Sequence, residues 1–68
     1  MDMRKIVGRN VRAARTERGM TQEQLSDVSG FSQQYISDLE RGRHNPTIVS
    51  LYELALALSV TPIELLKP

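Results

Sequence analysis

Between Thr21 and Glu40 the chain holds two short helix signatures, and the second carries Gln33, Gln34, Tyr35, Ser37 and Asp38 at positions that packing does not claim. Side-chain amides present a donor beside an acceptor, hydroxyls act as either, and a carboxylate only accepts. A row of such groups on one exposed helix is suited to reading a pattern of donors and acceptors, and the edges of base pairs form such a pattern. The residue types needed for bond-breaking are not assembled alongside it. The acids are dispersed, cysteine is absent, and no nucleophile is paired with a base, so an enzyme is rejected.

The elements that must position this row are legible from local chemistry. Thr21 and Gln24 form a T-x-x-Q capping box, which starts a helix at Gln22. Gly30 supplies the positive φ that closes that helix, and Ser32 offers the next N-cap oxygen, so a third helix starts at Gln33. Leu25, Val28, Phe31, Ile36 and Leu39 are expected to pack the two helices together across their short turn. The segment from about 21 to 41 therefore reads as a helix-turn-helix unit. Before it, a helix runs from Asp2 or Met3 to Arg18 with Met3, Val7, Val11 and Ala14 on one face. After the Arg43-His44-Asn45-Pro46 loop, Thr47 caps a fourth helix that ends near Ser59, with Ile48, Leu51, Leu54, Ala55 and Leu58 as its buried stripe. Thr61, Pro62 and Glu64 signal a short fifth helix, Pro62 to about Leu66, with Thr61 as its cap. Apolar spacing is three and four throughout. The expected fold is all-α, a compact five-helix bundle in one domain spanning 1–68.

The formal net charge of +1 conceals a strong asymmetry. Residues 1–18 carry six bases against two acids, residues 19–40 carry four acids and no base, and Arg41 and Arg43 follow directly. Positive charge on both flanks of the two-helix unit suits phosphates on either side of a groove, although the N-terminal bases also fit a solvated helix face. The lack of cysteine excludes disulfides and thiolate metal sites, and no apolar run reaches the length of a signal peptide or a membrane span. His44 is the only histidine, so a metal site is not expected, and neither a cofactor nor a small-molecule ligand is indicated. These features predict a soluble, cytoplasmic protein.

The order and spacing of Val7-Gly8, Val11-Arg12, Arg15, Gly19-Met20-Thr21-Gln22, Gln24-Leu25, Gly30-Phe31-Ser32, Tyr35-Ile36-Ser37, Leu39-Glu40-Arg41-Gly42, Asn45-Pro46-Thr47 and Leu54-Ala55 resemble the phage Cro and repressor (Xre-type) helix-turn-helix family over nearly the whole chain. The resemblance implies that helix three enters the major groove of double-stranded DNA while helix two lies across the backbone. It implies base contacts from Gln33 and Gln34, with adenine as the favoured partner of an amide, and a base or phosphate contact from Ser37. Asp38 departs from expectation in a groove lined by phosphates; it accepts from a cytosine N4, pairs locally with a base such as Arg41, or points away, and local pairing is favoured. Backbone contacts are implied for Gln22, through its amide and the helix N-terminus, and for Ser32, Arg41, Arg43, His44 and Asn45. Tyr35 offers its ring to a thymine methyl and its hydroxyl to the backbone, or lies partly in the core. Arg15 and Glu40 match a structural ion pair between helices one and three. Ser26 and Ser29 stand where the family more often has a small apolar residue.

Helix four carries a second apolar face, Val49, Tyr52 and Leu56, continued by Ile63. A helix with two apolar stripes needs two covers, and a bundle this small supplies one. Homodimerisation through these residues is expected, placing two recognition helices roughly 34 Å apart on a palindromic operator. The patch packing on a further domain, or on N-terminal residues of the same copy, are the alternatives. The function expected is a sequence-specific transcriptional regulator acting as a repressor by occupancy, with an antitoxin-type interaction module on the same fold as the other reading.

Overall fold

A computed structural model describes residues 1–68. Four α-helices are present, α1 (Met3–Glu17), α2 (Gln22–Ser29), α3 (Gln33–Glu40) and α4 (Ile48–Leu58), followed by a 3-10 helix, Pro62–Leu66. The fold is all-helical, but the fifth helix is not an α-helix. Pro62 removes one donor at its start, and five residues leave little room for a ladder of i to i−4 bonds. Its first turn instead closes with Glu64 N–H donating to the Thr61 carbonyl. The Thr61 hydroxyl makes no cap, contrary to expectation, whereas Asp2, Thr21, Ser32 and Thr47 each accept a backbone N–H at the head of an α-helix.

The core is Val7, Val11 and Ala14 of α1, Leu25 of α2, Ile36 and Leu39 of α3, Leu51, Leu54, Ala55 and Leu58 of α4, and Leu65. Each large side chain fully withdrawn from water contributes about 1.5–3 kcal/mol. Three expected core residues are not in it. Ile48 is 86% exposed and Val28 60%, while Met3 at the head of α1 is 42% exposed. Ile48 is the first residue of α4, at the rim of the buried arc. In α2, eight residues long, Leu25 alone is buried, and Phe31 packs on the core from beyond the turn.

That turn is fixed by side chains as well as by Gly30, whose φ of 81° is strained for any residue with a Cβ. Ser26 Oγ donates to the Phe31 carbonyl at 2.6 Å, and Phe31 N–H donates to Ser29 Oγ at 3.2 Å. The two serines that depart from the family pattern thus clamp both ends of the turn. At the other end of the molecule, Asn10 Nδ2 donates to the carbonyls of Leu65 (2.9 Å) and Lys67 (2.8 Å), tying the 3-10 helix to α1.

Helices α1 and α3 approach closely at Gly8, where a Cβ would overlap the Leu39 carbonyl oxygen and press on that of Glu40 at 3.1 Å. Two turns further along α1, Arg15 grips Glu40 with two bonds, Nε to Oε2 at 2.7 Å and Nη2 to Oε1 at 3.0 Å, and its Nη1 donates to the Met20 carbonyl at 2.8 Å. Gln22 Nε2 adds a third donor to the carboxylate, at 3.1 Å. The carboxylate side is 4% exposed and the guanidinium side 12%. The bond to Glu40 holds the Arg15 guanidinium above its already high ordinary pKa, outweighing the opposing effect of burial.

Two stability changes are expected. Gly8→Ala should lower unfolding free energy by about 1–3 kcal/mol in urea titration, despite the better helix propensity of alanine, because the obstacle is backbone. Arg15→Met should cost about 3 kcal/mol or more, since it leaves a buried carboxylate with one neutral donor, and removing the charge as well in Arg15→Met with Glu40→Leu should recover much of that loss.

Candidate nucleic-acid interface

Gln33 and Gln34 open α3 on an exposed surface, directly after Ser32, whose Oγ accepts the Tyr35 N–H at 3.0 Å. The cap, the clamped turn and the Arg15–Glu40 bond together fix where this end of α3 points. The amides differ in what remains open to a ligand. Gln34 Nε2 donates to Asp38 Oδ1 at 3.1 Å, four residues on, while Gln33 keeps both of its amide groups. Asp38 therefore does pair locally, but with Gln34 and not with Arg41. The spacing explains it, because helical side chains lean toward the N-terminus and meet residue i−4. The Gln34–Asp38 bond restricts the Gln34 amide and occupies one carboxylate oxygen.

Tyr35 is half-buried, and both faces of its ring are covered. The Phe31 ring stacks on it at 4.7 Å between centroids with a 15° tilt, and the His44 ring stacks at 4.7 Å with a 29° tilt. The ring faces are thus closed to a thymine methyl, and the stack docks the 43–45 loop on α3. The sequence reading missed this arrangement. Its signal was the i, i+4 spacing of Phe31 and Tyr35, which puts both on one side of α3's start, while His44 comes from across a loop that local spacing does not resolve.

Gln22 is also placed differently from the expectation. Its amide is committed to Glu40, so only backbone N–H groups of the first turn of α2 are open to an anion there. Arg41, Arg43 and Asn45 are exposed on the segment that leaves α3, and His44 is half-buried. Arg43 N–H donates to the Asp38 carbonyl at 2.9 Å, which holds the segment against the end of the helix. Ser37 is half-buried and lines a polar cleft of about 230 Å³ with Arg12, Arg15, Gln22, Glu40 and Arg41.

Val49, Tyr52, Leu56 and Ile63 are 65, 54, 61 and 67% exposed. The alternative in which they pack on the N-terminal residues of the same copy is thereby overturned. No three His, Cys, Asp or Glu side chains converge in a metal-like group, and no helix is long and apolar enough to cross a membrane.

Comparison with known proteins agrees with this geometry. The chain is 60% identical over 68 residues to y4dJ, an HTH-type transcriptional regulator of Sinorhizobium fredii, covering 100% of this chain and 88% of that protein. Its fold is similar to that of the hypothetical transcription factor NHTF from Neisseria, with a TM-score of 0.94 at 34% identity over 98% of this chain and 77% of the other. It is similar as well to the restriction-modification controller protein C.Esp1396I, crystallised as a tetramer in complex with its natural 35 base-pair operator, with a TM-score of 0.85 at 33% identity over 98% of this chain and 99% of that one. Residues 11–65, from the second half of α1 through the 3-10 helix, match the HTH_3 helix-turn-helix model. With a core and a two-helix unit joined by a short turn of this form, the chain belongs to the HTH_3 helix-turn-helix family.

Proposed function

We propose that this protein is a sequence-specific, double-stranded-DNA-binding transcriptional regulator of the cytoplasm that acts as a homodimeric repressor by occupying a palindromic operator. The observation that carries the reading is the free Gln33 amide at the head of an α3 that is capped, clamped at its turn and bonded to α1. In the major groove an amide pairs bidentately with N6 and N7 of adenine, and a bond of that kind discriminates only when the side chain's origin is fixed. Gln34, Ser37 and Asp38 contribute further base-edge contacts, and Ser32, Arg41, Arg43 and Asn45 meet phosphates and hold the register. Tyr35 and His44 serve the backbone contact chiefly by bracing the loop that carries Arg43. The protein acts by occupancy, without chemistry of its own.

The homodimer rests on the exposed apolar stripe of α4 and the 3-10 helix. Val49, Tyr52, Leu56 and Ile63 are more than half exposed, and a tyrosine flanked by aliphatic side chains has the composition of an interface centre. The restriction-modification controller to which this fold is similar sits on its operator as a tetramer, which supports binding by more than one copy.

Selection of bound fragments from random duplexes would give the operator, its symmetry and its half-site spacing together. On the selected duplex Gln33→Ala should lose about 1–3 kcal/mol and relax preference at one base position per half-site; equal loss on every sequence would remove direct reading by this residue. Leu56→Glu should shift the sedimentation profile toward a single copy, weakening self-association by roughly 2 kcal/mol or more, and operator affinity should fall with it. An unchanged profile would move the interface elsewhere.

A further inference from the structure

We propose that Arg12, on α1 and outside the helix-turn-helix unit, is a DNA-phosphate contact that pairs with Arg41 to form a two-armed clamp on the backbone beside α3. The proposal rests on the operator-binding reading above and adds a site to it. Its basis is the polar cleft lined by Arg12, Arg15, Gln22, Ser37, Glu40 and Arg41, none of them apolar. Three guanidiniums face one carboxylate there. That carboxylate is already satisfied by Arg15 and the Gln22 amide. The only ion pairs in the fold are Arg4–Asp2 and Arg15–Glu40, so Arg12 and Arg41 reach the cleft exposed and unpaired.

The neighbours of Arg12 on the helix do not compensate it. Around Arg12, positions one turn away are Gly8, Arg9, Arg15 and Thr16, two of them cationic and none acidic. Like charges at this spacing repel. The isolated fold thus leaves the Arg12 and Arg41 guanidiniums without an ion-pair partner, and an anion entering the cleft supplies one. Ser37, which belongs to the reading face, forms one wall of the same cleft, so a bound anion would lie alongside the duplex edge that α3 addresses. A backbone phosphate fits this setting in charge and position. Guanidinium forks match phosphate oxygens in geometry, and Gln22 at the head of α2 lines the same cleft.

Arg18 makes the contrast. It lies on the same helix and is also exposed, but its guanidinium is turned the other way, donating to the carbonyls of Ser59 at 3.2 Å and Ala14 at 3.5 Å. Total charge is the same whichever arginine is removed, so a difference between the two isolates position from charge.

The test measures binding against salt concentration for Arg12→Gln, Arg12→Lys and Arg18→Gln, on the selected duplex and on a scrambled duplex of equal length. Arg12→Gln should flatten the plot of log K against log salt by about 0.9 per protomer bound and weaken both duplexes by the same factor. Arg12→Lys should keep the wild-type slope, and Arg18→Gln should leave it unchanged. Thermal unfolding of Arg12→Gln should match the wild type, since Arg12 holds nothing within the fold. An unchanged slope for Arg12→Gln, or an equal flattening for Arg18→Gln, overturns the clamp. If in either case Gln33→Ala still relaxes base preference, the operator-binding reading survives that failure; if the wild-type protein binds neither duplex, both fall together.

Discussion

The bond between Arg15 and Glu40 is the constraint on which the rest of the molecule depends. Taking two charges out of water is costly, and their attraction offsets the cost only when the remaining donors and acceptors are also used. Here they are. Glu40 accepts from Arg15 twice and from Gln22 once, while Arg15 also donates to the Met20 carbonyl. The four residues come from α1, the loop before α2, the first turn of α2 and the last turn of α3. One small network therefore sets the relative placement of three helices. Its value lies less in net stability than in direction, because a hydrophobic pair of equal volume would tolerate slippage that a bidentate ion pair does not.

Gly8 makes the network reachable. Without a side chain there, α1 lies against the carbonyls of Leu39 and Glu40, which brings the Arg15 guanidinium within bonding distance of the carboxylate two turns along. The same closeness brings Arg12 to the cleft beside Ser37. A position that buries no side chain at all thus determines the electrostatics of the reading face.

What the sequence disclosed divides along the range of the interactions. Caps at Thr21, Ser32 and Thr47 are set by residues three apart, and their helices start as local chemistry predicts. The all-helical class and most of the core followed from periodicity alone. Pairing across the chain was less accessible: the Arg15–Glu40 partnership was available only through the family resemblance, and the His44 stack on Tyr35 depends on how a nine-to-ten-residue span folds back. Where the expected core erred, helix ends were responsible. Ile48 and Val28 satisfy the apolar spacing yet lie at element termini, where no neighbour covers them. For Asp38 two local partners competed, Gln34 at i−4 and Arg41 at i+3, and the N-terminal lean of helical side chains favours the former. Gln22 offered an amide to two acceptors, a phosphate in solution and a carboxylate in the fold, and the sequence did not show that Glu40 would have an oxygen to spare.

The helix that holds α3 also holds one end of the apolar patch. The 3-10 helix that carries Ile63 is held to α1 by Asn10, which donates to the Leu65 and Lys67 carbonyls, and α1 holds α3 through Glu40. A displacement of Ile63 relative to α3 would have to break one of these attachments. If two copies meet through that patch, the separation of their α3 helices is set by packing and side-chain bonds within each copy rather than by a flexible joint. Half-sites on a duplex recur every turn, roughly 34 Å, and an error of a single base pair rotates the groove away from the helix meant to enter it. The short connections and side-chain bonds along α1 meet that demand for rigidity, which gives a physical reason for a chain with few residues for a core to place its strongest polar bonds there.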